Sequence, residues 1–118
     1  MGLLEQGAEW LEEQRRVMLS VSVEYLRWDG ERLRVPATLG KTHFEVETEY
    51  GTTAHVFSRD FLISAKDLSK DPKKGDKIFY DGVEYEVLAP QNENVWRWSG
   101  TSHLTRRIHT KEIGTHER

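Results

Sequence analysis

The sequence predicts a mainly β protein: a small antiparallel β-barrel or sandwich of seven to eight short strands, with one N-terminal amphipathic α-helix. Two observations carry this reading. After Ser20, apolar and polar residues alternate with a period of two, and turn signals recur about every eight to twelve residues. Before Ser20, the apolar period is that of a helix.

The helix is expected over residues 3–18. Leu3-Leu4, Trp10-Leu11 and Val17-Met18 are apolar pairs seven residues apart, which draws a broad stripe along one side. Glu5, Glu9, Glu12 and Glu13 precede Arg15 and Arg16, the order that the helix dipole favours. Such a stripe either packs on its own domain or docks Leu3, Leu4, Trp10 and Leu11 on a neighbouring subunit.

The strands follow over residues 20–113. "SVSVEYLRW" sets Val21, Val23 and Tyr25 against Ser20, Ser22 and Glu24, and Asp29-Gly30 then supplies a type I′ turn. "ERLRVPA" reads as the return strand, with Pro36 placing its end at a sheet edge or a break. "THFEVETEY" alternates again, Tyr50-Gly51-Thr52 turns the chain, and "AHVFSRDFLIS" is long enough to bend. The polar stretch "AKDLSKDPKKGD" is a loop in which Asp67-Leu68 forms a single helical turn. Ile78 and Tyr80, then Asp81-Gly82, then Val83, Tyr85 and Val87 make the clearest hairpin of the chain. "NVWRWSG" and "LTRRIHTKEIG" complete the series. With no internal repeat, linker or low-complexity tract, residues 1–118 read as one domain.

Composition narrows the function. A chain of 118 residues holds one core without a staple, and it has no cysteine to supply a disulfide, a thiolate metal site or a thiol nucleophile. The net charge of −3 argues against generic polyanion binding. No stretch approaches a membrane span, and "MGLLEQGAEWLEEQ" has acids where a signal peptide has its basic region, so synthesis in the cytosol is expected.

No catalytic constellation emerges, and neither a metal nor a cofactor is expected. The five histidines never fall at metal-ligand spacing, and Glu45, Glu47 and Glu49 read as an exposed, charged strand face. Ser58-Arg59-Asp60 offers a hydroxyl and a carboxylate, with no nucleophile elbow and no histidine at a telling position. Trp96 and Trp98 share a strand face with Arg97 on the other. They read as core or a subunit seam, or else as a base-stacking platform of a nucleic-acid-binding β-barrel. Val95 to Lys111 contains Arg97, Arg106, Arg107 and Lys111 and no Asp, with Glu absent too. This is either a solvated strand face or a contact for an acidic partner or nucleic-acid backbone.

The order helix, strands, "RDFLISAKDL", "PKKGDKIFYDGVEYEVLAP", "WRWSG" and "RRIHTKEIG" resembles a family of small proteins of tailed phages and prophages, encoded in the head-morphogenesis block. In layout it is similar to the lambda-type head-tail joining proteins. The resemblance implies a virion structural protein of the neck, assembled in the host cytoplasm. Its expected form is a head-completion or stopper connector, in a ring of six copies between the portal or adaptor protein and the tail terminator or tail protein. Packaged DNA would pass nearby without sequence-specific binding, and no membrane is involved. A tail terminator ring is the alternative of the same class. On this reading Leu3, Leu4, Trp10, Leu11, Arg97, Arg106 and Arg107 are expected at subunit or ring interfaces. Lys66, Lys70, Lys73 and Lys74 lie on a loop directed to the tail or the channel.

Overall fold

The computed structural model describes residues 20–91 and 93–115. The helix expected over 3–18, with Leu3, Leu4, Trp10 and Leu11, lies outside the described residues.

Seven strands follow in order: β1 (Val21–Leu26), β2 (Arg32–Glu47), β3 (Thr53–Ser64), β4 (Lys77–Tyr80), β5 (Val83–Val87), β6 (Trp96–Trp98) and β7 (Thr105–Thr115). All pairings are antiparallel, and all seven strands belong to one sheet in the order β3-β2-β1-β4-β5-β7-β6. This is one sheet, not the two packed sheets of a sandwich. β3 also pairs with β7, so the ladders run β1-β2-β3-β7-β5-β4 and back to β1. Along β7, β5 pairs with Thr110–Thr115 and β6 takes up the same edge at Arg106–Ile108, while β3 holds the other.

The inward residues are those the alternation selects. Val23 and Tyr25 of β1, Val35 and Ala37 of β2, Phe61 and Ile63 of β3, Ile78, Tyr85, Val87 and Ile108 form one cluster, closed by Leu68 from the loop after β3. Phe61 meets Tyr85 and Tyr80 edge-on, at 5.1 and 6.4 Å between ring centroids. Burying each such aliphatic or phenyl side chain contributes about 1.5–3 kcal/mol.

Two expectations from the sequence change. "ERLRVPA" and "THFEVETEY" are not separate short strands but the two ends of the sixteen-residue β2. Pro36 does not break it: Pro36 sits opposite Ser22 of β1, before the β3 ladder begins at Thr38. Among the described residues, β2 has a strand neighbour there on one side only, and a missing N–H is tolerated. The second change concerns the turns. Asp81-Gly82 joins Tyr80 to Val83 as a two-residue loop with φ of 52° and 76°, the type I′ signature. Asp29-Gly30 is not type I′. Only Gly30 has positive φ (96°), Arg27 N–H donates to Glu31 O at 2.8 Å, and the loop has three residues. The same dipeptide thus serves two turn geometries.

Among the described residues, β2 pairs only with β3 past Ala37, and β3 pairs only with β2 before Arg59. Lys41–Glu47 and Thr53–Ser58 therefore form a two-stranded ribbon that leaves the closed part of the sheet. Its turn is held by Thr48 N–H donating to Thr52 O at 2.8 Å. At the other end of β3, the loop 65–76 opens with one helical turn, Leu68 N–H donating to Ser64 O at 3.1 Å.

Candidate functional site

Three buried polar centres hold the closed sheet, and each accounts for a motif. The first is Asp76, of the Gly75-Asp76 pair that opens the β4–β5 hairpin. Its carboxylate is fully buried and accepts from Tyr25 Oη (2.6 Å), Trp28 N–H (3.0 Å) and Lys73 N–H (3.0 Å). Its backbone carbonyl accepts from Val87 N–H at 2.7 Å. One residue thereby ties β1, the β1–β2 turn, the loop and β5. Burial, and then the Asp76 carboxylate facing it, push the Tyr25 hydroxyl far above its ordinary pKa, so Tyr25 stays a donor.

The second centre is Asp60 on β3, also fully buried. Thr42 of β2 and Ser58 donate their hydroxyls to it, and Arg107 Nη1 and His109 Nδ1 of β7 approach at 2.8 and 2.9 Å. Burial alone would raise its pKa. Hydrogen bonds from His109, Ser58, Thr42 and Arg107 outweigh that and hold it at about 2, below the ordinary 3.8. The arrangement joins the three strands at the ribbon's root.

Ser58, His109 and Asp60 are the residue types of a hydrolase triad, but their geometry is not that of one. A relay needs aspartate on one ring nitrogen and serine on the other. Here Ser58 Oγ lies 3.3 Å from the same Nδ1 that faces Asp60, and the Ser58 hydroxyl donates to Asp60. All three are at least 97% buried. The sequence carries no sign that His109 joins Ser58 and Asp60, because only the β3–β7 register, with Asp60 opposite His109, brings them together. Among the described residues, no group of three or more His, Asp or Glu could hold a metal ion.

The third centre is Arg106. Its side chain is 7% exposed, with Nη1 donating to Leu68 O and Nη2 3.0 Å from Asp71. Its guanidinium carbon lies 4.9 Å from the Trp96 ring and 5.2 Å from the Trp98 ring. Trp96 and Trp98 meet edge to face at 5.0 Å, and His103 stacks on Trp98 at 5.2 Å. Arg106 thus occupies a face of each tryptophan, and His103 stacks on Trp98.

The basic C-terminal run is therefore not a uniform solvated face. Arg106 clamps the loop to β6 and β7, and Arg107, 22% exposed, is bound to Asp60. Arg97 is exposed, as are Lys66, Lys70, Lys73 and Lys74. Lys70 Nζ lies 3.8 Å from Glu31, and Lys73 Nζ sits 5.4 Å above the exposed Trp28 ring. The surface that the sequence does not single out as a site is the ribbon. Its outer face carries Lys41, His43, Glu45, Glu47, His55 and Phe57, all exposed, with His43 and Phe57 edge to face at 4.5 Å. Tyr50 stands at its tip, 85% exposed.

A family profile described as phage head-tail joining protein matches residues 1–117. No curated protein matches the chain.

Proposed function

Because the chain belongs to the phage head-tail joining protein family, whose members are structural parts of the virion, we propose that it is the head-completion, or stopper, connector. In this role a ring of copies, six in the simplest case, sits between the portal or adaptor protein and the tail. The family match over nearly the whole chain is the observation that carries the reading. The architecture supports it. A closed sheet pinned by Asp60, Asp76 and Arg106 is a rigid body, and among the described residues no strand pairs with the outer edges of Lys41–Glu47 and Thr53–Ser58. Open strand edges are templates for pairing with another chain, and repeated heterologous contacts close into a ring. Each contact would need about 1,200–2,000 Å².

The exposed Arg97 and loop lysines remain suited to contacts with neighbouring subunits, the tail or the channel, and Leu3, Leu4, Trp10 and Leu11 to a ring interface. Arg106 and Arg107 would act through the body they hold together. A channel wall lined with carboxylates would repel DNA and let it slide. Electron microscopy of particles made without this protein tests the reading. Filled heads that lose their DNA and carry no tails are expected. Normal heads with tails of uncontrolled length would instead identify a tail terminator and overturn it.

A further inference from the structure

The two ends of β3 differ in charge. Between His43 and Phe57 the chain contains Glu45, Glu47 and Glu49 and neither Lys nor Arg, and all three glutamates are exposed on the ribbon. At the far end of β3, the loop exposes Lys66, Lys70, Lys73 and Lys74. Of the three acids in that loop, Asp76 is buried and Asp71 is bound to Arg106. The twelve residues of β3 hold the two ends roughly 35 Å apart. That is several Debye lengths at physiological salt (about 8 Å), so they do not neutralise each other within one chain.

Each end also carries an exposed aromatic side chain beside its charges. Tyr50 is 85% exposed at the ribbon tip, next to Glu49 in the chain. Trp28 is 64% exposed on the β1–β2 turn beneath Lys73, with Lys70 held 3.8 Å from Glu31 of that turn. Phe57, on the ribbon's outer face, lies instead under Lys41 at 5.8 Å. An exposed aromatic with charges of mainly one sign around it is the composition of a contact surface, with the aromatic as anchor and the charges as the steering rim. A surface that meets its own kind across a two-fold axis would bring like charges together. Two surfaces of opposite sign on one rigid body instead favour a heterologous, head-to-tail contact.

We propose that the acidic β2–β3 ribbon of one copy docks on the lysine-bearing loop and Trp28 of the next copy. This rests on the ring reading above and names the partner of both surfaces: a second copy of this chain. Ribbon glutamates meet Lys70, Lys73 and Lys74, and Tyr50 packs beside Trp28.

Charge reversal tests it on the full chain by sedimentation velocity at high protein concentration. The wild type is expected to self-associate, with affinity falling by more than about tenfold between roughly 0.05 and 0.5 M salt. Glu45→Lys, Glu47→Lys and Glu49→Lys combined, or Lys70→Glu, Lys73→Glu and Lys74→Glu combined, are each expected to leave folded monomers, with circular dichroism verifying the fold. Mixing the two variants restores both contacts and is expected to return an oligomer with equal amounts of each. A wild type that stays monomeric at low salt, variants that associate like the wild type, or a mixture that stays monomeric would overturn the proposal. So would a lysine variant whose only loss is affinity for a DNA oligonucleotide. Particles assembled with the charge-reversed variants separate this from the connector reading. Intact, tailed particles would sink the docking scheme and leave the connector standing.

Discussion

The closed part of the sheet and the ribbon that leaves it are made of the same strands, yet they differ in every physical respect. In the closed part β3 and β7 have partners on both sides along some of their length, and β2 passes directly from its β1 ladder to its β3 ladder. The buried polar groups Asp60, Asp76 and Arg106 hold several elements each. In the ribbon, β2 and β3 have only each other among the described residues, and the outer face is exposed from Lys41 to Phe57. The lesson is a division of labour within single strands. One half of β3 contributes Phe61 and Ile63 to the core, while the other presents His55 and Phe57 to solvent. Stability resides in the first region and contact capacity in the second.

The sharpest way to break the contrast is at Asp76. Replacing it with Ala removes the acceptor of Tyr25, Trp28 and Lys73 together. A loss of about 3–5 kcal/mol in chemical denaturation is expected, since each buried donor left unpaired costs about 1–3 kcal/mol. Arg106→Ala comes next. It removes the contacts to both tryptophans and to Leu68 O, and a loss of about 2–4 kcal/mol is expected by the same measurement. Arg106→Glu should unfold the domain and not merely disturb assembly.

Acid provides a third test. The folded Asp60 carboxyl has a pKa of about 2 against an ordinary 3.8. A depressed carboxylate contributes stability that is fully present above its unfolded pKa and is lost as pH falls through the folded one. About 2 kcal/mol should therefore disappear between roughly pH 4 and pH 2. Asp60→Asn should abolish that part of the pH dependence in acid titrations followed by fluorescence.

How much of this could be read beforehand depends on range. Alternation along the chain marked Val21, Val23, Tyr25, Ile78, Tyr80, Val83, Tyr85 and Val87; five of these are in the core, and Val21, Tyr80 and Val83 are partly buried against it. Asp81-Gly82 was legible as a turn because its chemistry is local. Long-range register was not legible. Nothing near Asp60 in sequence says that Thr42, Arg107 and His109 converge on it, and nothing near Trp96 and Trp98 says that Arg106 covers them. Four cations without an acid look like a solvated face until the sheet folds two of them against Asp60 and Asp71. That the face bearing Glu45, Glu47 and Glu49 belongs to a ribbon outside the closed sheet was not legible for a related reason. Its alternation is as regular as that of a core strand, and only the point where β1 and β7 stop pairing reveals it.

Smaller effects sharpen the boundary. Gly40 lies where the ribbon leaves the body, and a Cβ there would stand 3.0 Å from Arg107 Nη1 and 3.2 Å from Leu62 Cδ1. Gly40→Ala should cost about 1 kcal/mol by crowding an arginine that Asp60 holds in place. At the far tip, Tyr50→Ser should change stability by less than about 0.5 kcal/mol, because Tyr50 buries almost nothing within its own chain.

The most direct test of a rigid body that carries an open contact arm is amide hydrogen exchange on the isolated chain and on the protein in assembled particles. The account predicts slow exchange for core amides of β1, β3 and β7 in both. Outward-facing amides of Thr53–Ser58 and Lys41–Glu47 should exchange fast in isolation and slow down once assembled. Ribbon amides that exchange equally fast in the particle, or that are already protected in the isolated chain, would contradict it.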